Sequence, residues 1–79
     1  MSVVETQLLL AQNLGLLSKA IRVEVGLATD PKSKIPQKDE TLAGLLFFTI
    51  LLANQMGIDL EAAFQKREQK YRRRKNRIG

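Results

Sequence analysis

The sequence predicts an all-α protein of three helices whose apolar faces exceed what one copy of the chain can cover. Three observations lead to this. Apolar residues recur at helical spacing from Val3 to Val25, a second segment from Asp39 to Met56 is apolar almost all round, and Gly26 and Gly57 stand where those two segments stop. A chain of 79 residues forms one domain at most. At that size folding hides only about 60% of the surface the unfolded chain exposes. The sequence has no cysteine and no histidine, which removes disulfides and the common zinc sites as sources of extra stability. Self-association is the remaining way to complete the core.

The first helix is expected over residues 3–25. Ser2 and Glu5 form the S-x-x-E pattern of a capping box, and Val3, Leu10, Leu14, Leu17, Ile21 and Val25 mark its apolar stripe. Leu8, Leu9, Leu16, Ala20 and Val23 widen that stripe beyond what a single neighbouring helix covers. Gly26 is placed to end the helix in a left-handed conformation. Residues 27–38 hold both prolines and no periodicity, and read as a connecting loop.

A second helix is expected over residues 39–56, with Asp39 as its N-cap and Glu40 at the positive end of the helix dipole. Because it is apolar almost all round, it is expected to be central and buried. Gly57 ends it, and Asp59 caps a third helix over residues 60–75. The link between these helices is so short that they must lie antiparallel or cross steeply. Phe47, Phe48, Leu51 and Leu52 are then expected to meet Leu60, Ala63, Phe64 and Tyr71.

The net charge of +5 is unevenly spread. Everything before Lys66 carries five basic residues against seven acidic ones, whereas residues 66–79 form a basic tail with eight lysines and arginines. Such a tail attracts phosphate polyanions, although basic residues also complement the negative end of a helix dipole. The longest apolar stretch, Leu42 to Ala53, is 12 residues, against the ~20 needed to cross a bilayer. No membrane association is expected. The first residues lack the basic start of a signal peptide, so a cytoplasmic location is the expectation.

Without histidine or cysteine, any catalysis would rest on carboxylates, with a divalent metal held between them. Neither of the first two helices has acids at i, i+3 and i+4 in its interior. Glu5 and Glu24 lie at opposite ends of the first, and Asp39 and Glu40 at the start of the second.

The string LAQNLGLLSKAIR from Leu10 to Arg22, ETLAGLLFF from Glu40 to Phe48 and LANQMGIDL from Leu52 to Leu60 resemble the MazG-like nucleoside triphosphate pyrophosphohydrolases. The resemblance runs from about Leu8 to Arg74 and includes the G-I-D-L opening of the last helix and the R-R-R near its end. In that family the two acidic motifs, E-E-x-x-E and E-x-x-D, hold Mg²⁺ and through it the substrate triphosphate. The matching positions here are Gln12, Asn13, Leu16, Thr41 and Gly44, none of them acidic. A lysine and an asparagine that the family often places on its last helix match Arg67 and Tyr71, so only the positive charge is kept.

The resemblance therefore implies a three-helix MazG-like subunit, completed as a homodimer or homotetramer, that has lost its metal site and serves as a binding or scaffold protein. No cofactor is expected. Leu16 and Gly44 read together as a former polar cleft turned to packing. Gln12 and Asn13 read either as remnants of a ligand pocket or as polar residues on a helix flank. Two alternatives stand beside this one. The first is a Mg²⁺-dependent enzyme releasing pyrophosphate from a nucleoside triphosphate, with metal held by Asp39, Glu40 or a partner's acids. The second is a module that binds a nucleotide or nucleic acid through the tail, where Arg67, Lys70, Tyr71 and Arg74 would contact phosphate.

Overall fold

The structure is a computed structural model that describes residues 1–27 and 34–78, with side chains up to Arg74 in the last helix. It is all-α, as expected: α1 (Val3–Glu24), α2 (Lys38–Gln55) and α3 (Leu60–Ile78). Part of the expected loop, residues 28–33, lies outside the described residues, as do the side chains of the tail beyond Arg74.

Local chemistry sets the helix ends. The Ser2 hydroxyl accepts the Glu5 N–H at 3.1 Å while a Glu5 carboxylate oxygen accepts the Ser2 N–H at 3.2 Å, so both halves of the capping box form. Such a cap contributes about 1 kcal/mol. At the other end Gly26 takes φ +83°, Leu27 N–H donates to the Arg22 carbonyl at 2.8 Å, and Gly26 N–H to that of Val23 at 3.1 Å. This pair of bonds is a Schellman motif.

α2 ends in the same way. Gly57 has φ +67°, and Ile58 N–H donates to the Ala53 carbonyl at 2.9 Å. Asp59 then caps α3 by accepting the Ala62 N–H at 3.0 Å, as its position predicts. Asp39, expected as the N-cap of α2, lies inside the helix instead. Gln37 is the N-cap, without a side-chain bond, and its carbonyl accepts both the N–H and the hydroxyl of Thr41 at 3.1 Å. Asp39 still serves the helix start, because its Oδ1 accepts the Glu40 N–H at 2.8 Å.

α1 and α2 lie antiparallel as a hairpin. Lys38 pairs with Glu24 at one end, and at the other the Gln55 side-chain amide donates to the Met1 carbonyl at 2.7 Å. Both members of the ion pair are at least half exposed, which limits its contribution to at most about 1 kcal/mol. Among the described residues only Thr6, Ala20, Thr41 and Ala53 are buried.

Two expectations about α2 and α3 are corrected here. α2 is not buried within one chain: Leu42, Leu46, Phe47 and Ile50 are exposed, because α1 covers one side of a helix that is apolar on every side. The short link does give a steep crossing, with α3 turned 114° from α2. However, the expected packing of α2 on α3 is absent. Phe64 and Tyr71 are 62% and 67% exposed, and among the described residues only the α1–α2 pair shares a substantial contact. The turned-out helix gives a radius of gyration of 16.4 Å, against about 11.6 Å for a compact chain of this length. The molecule is flat, with extents of 45 × 41 × 17 Å. Among the described residues no single helix is long and apolar enough to cross a membrane.

The capping box makes the start of α1 sensitive to acid. The Ser2 hydroxyl, and after it the Ser2 backbone N–H, hold the Glu5 carboxyl below its ordinary value. A lowered folded-state pKa means that this stabilisation is complete above the ordinary carboxylate range and is lost as pH falls through the folded-state value. Glu5→Gln keeps an acceptor oxygen but does not titrate. The difference in stability between the parent and E5Q, measured by urea denaturation, should be constant above about pH 5.5 and change as pH drops through about 4. A difference that stays flat to pH 3 would show that the carboxylate contributes no charge-dependent stability.

Candidate functional site

Gln12, Asn13, Leu16, Thr41 and Gly44 are the candidate positions that the sequence resemblance points to, and the α1–α2 hairpin brings some of them together. Asn13, half-buried on α1, lies directly against Gly44 on α2. Its amide carbon stands 3.0 Å from where a Cβ on Gly44 would be, and its oxygen closer still. Asn13 is held in place by its own helix, its Nδ2 donating to the Leu9 carbonyl at 2.9 Å. The absence of a side chain at position 44 is what lets the amide fit between the helices.

The sequence reading assigned this space to Leu16, and the structure corrects it. Leu16 is 37% exposed and lines a shallow groove with Lys34, Ile35, Pro36, Gln37 and Glu40. The reason is register. Asn13 sits nearly one turn before Leu16, at the level of the hairpin where Gly44 approaches. The close packing at Gly44 is made by Asn13.

Thr41 is buried, and its hydroxyl turns back onto its own helix, donating toward the Gln37 and Lys38 carbonyls at 3.1 and 2.9 Å. It is thereby committed to local structure. Gln12 is exposed and makes no hydrogen bond among the described residues. The five positions thus present one committed amide, one free amide, one committed hydroxyl, a leucine and a bare backbone. Magnesium takes hard oxygen ligands, usually including one or two carboxylates, and these groups supply none. Among the described residues, Glu40 is the one acid that lines the Leu16 groove. Among the described residues no three of His, Cys, Asp and Glu lie close enough together to hold a metal.

The second set of site residues lies on α3, away from the hairpin. Arg67, Lys70, Tyr71 and Arg74 do share a groove, as their i, i+3, i+4, i+7 spacing predicts, and Arg73 joins them there. Arg73 was missed by the sequence reading, although its place three residues after Lys70 is a signal for it. All five are exposed. Sequence reasoning also missed Thr6, the most buried of the described residues, whose hydroxyl donates to the Ser2 carbonyl at 2.9 Å.

The contact of Asn13 with Gly44 can be tested by a double-mutant cycle. Gly44→Ala alone gains about 1 kcal/mol of helix propensity but displaces the Asn13 amide from its bond to Leu9, a loss of about 1 kcal/mol, so its net effect should be small. In an Asn13→Ala background the same change should stabilise by about 1 kcal/mol. Effects that add to within about 0.3 kcal/mol would show that the two residues do not meet.

Beyond the chain itself, no protein-family model, curated protein or solved structure matches it.

Proposed function

We infer that this chain is a non-catalytic helical scaffold that assembles with copies of itself as a homodimer or homotetramer, a cytoplasmic relative of the MazG-like pyrophosphohydrolases without their metal site. One observation carries the reading. The accessible surface is 6815 Å², whereas a folded monomer of 8.9 kDa exposes about 4,800 Å². The excess, roughly 2,000 Å² per chain, is of the size that obligate homodimers bury.

The exposed residues support an interface more than an accident of shape. Leu42, Leu46, Phe47 and Ile50 are large, apolar and carried on one continuous helix, and α1 exposes Leu8, Leu14 and Ile21 as well. Monomeric proteins rarely leave such contiguous patches open to water. The carboxylate-free contact of Asn13 with Gly44 supports the non-catalytic half of the reading, since the metal chemistry of the resembling family needs acids at those positions.

The test is the dependence of thermal stability on protein concentration. For an oligomer whose protomers fold together, Tm rises with concentration, and here it should do so over a hundredfold range. Phe47→Glu on the exposed face of α2 should remove that dependence. On a free surface the same change would alter stability by no more than about 0.5 kcal/mol. A Tm independent of concentration would overturn assembly. Release of pyrophosphate from a nucleoside triphosphate with Mg²⁺, abolished by Glu40→Ala, would overturn the non-catalytic reading and favour an enzyme.

A further inference from the structure

α3 carries the strongest charge asymmetry in the molecule and stands clear of the other helices. At 3.6 residues per turn, Arg73, Lys66, Lys70, Arg74 and Arg67 follow one another within an arc of roughly 120° around the helix. Four of these five, Lys66 excepted, line one groove with Tyr71. Glu61, Glu68 and Arg72 fall on the opposite side of the helix. Five of the six basic residues from Lys66 to Arg74 therefore share one face, a bias that neither a solvated helix end nor dipole compensation requires.

None of the five side chains makes a hydrogen bond or ion pair with another described residue. Every residue from Glu61 to Arg74 is exposed, and the 114° turn after α2 keeps the hairpin away from this face. The rest of the chain, with seven acids against five basic residues before Lys66, repels a polyanion and leaves α3 as its point of contact.

We propose that this face of α3 binds double-stranded nucleic acid through its phosphates, without reading sequence. The five charges are spread over roughly 12 Å of helix, about one per 2.4 Å, and duplex DNA carries about one per 1.7 Å of its axis. Arginines and lysines on a straight, rigid rod suit a regular row of phosphates. A membrane surface is a poorer fit. A helix that lies in a lipid interface needs a continuous apolar face opposite its charges, and here that side holds Glu61, Glu68 and Arg72.

The experiment is fluorescence anisotropy of the full chain with a labelled 20-base-pair duplex of arbitrary sequence, titrated between about 50 and 200 mM salt. Binding should weaken with a log–log salt slope of about −4 to −5, as five phosphate contacts require, and should not depend on the duplex sequence. Lys70→Glu or Arg74→Glu should each weaken binding about five- to tenfold and flatten the slope by about one. Arg72→Glu, which makes the same change of net charge on the opposite side, should weaken it by less than about threefold. Circular dichroism checks that α3 stays helical in each variant.

Equal effects from Arg72→Glu and Lys70→Glu would overturn the proposal, because net charge alone would then account for binding. So would the absence of binding at 50 mM salt, or binding to anionic phospholipid vesicles that a hundredfold excess of duplex does not displace.

Discussion

The structure turns on a mismatch between α2 and what the chain offers to cover it. α2 has apolar side chains on every side, and among the described residues α1 is the helix that packs substantially along it. A helix of that kind is stable in water only when several neighbours surround it. With α3 turned away at 114°, large apolar side chains stay open to solvent. The flat shape and the few buried residues both follow from that arrangement.

The helix ends are comparatively well determined, because they depend on short-range chemistry. The capping box at Ser2 and Glu5, the left-handed glycines at 26 and 57, and the Asp59 cap each involve residues within five positions of one another. These features act whether or not the apolar faces are covered. Among the described residues the helix ends are thus set by local chemistry, while few side chains are buried within one chain.

The same division explains what was legible in the sequence. Three helices, both glycine stops and two of the three caps could be read directly, since each rests on spacing and residue type. The pairing of helices could not. Phe64 and Tyr71 have the spacing of a buried stripe, and it predicted packing on α2 that the single chain does not make. Periodicity says that a face is apolar, but not which molecule covers it. At the candidate site, the absence of acidic residues at the five positions was plain from sequence, and Arg67, Lys70, Tyr71 and Arg74 do share one groove. That Asn13 rather than Leu16 occupies the space beside Gly44 depends on the register of two helices joined by a loop, which spacing within either helix does not determine.

The central claim is that the exposed face of α2 is covered by another copy of the chain. Sedimentation equilibrium at micromolar concentration tests it most directly. The account predicts a mass that is an even multiple of the 8.9 kDa chain. A single 8.9 kDa species that remains folded, helical and soluble at high concentration would contradict it.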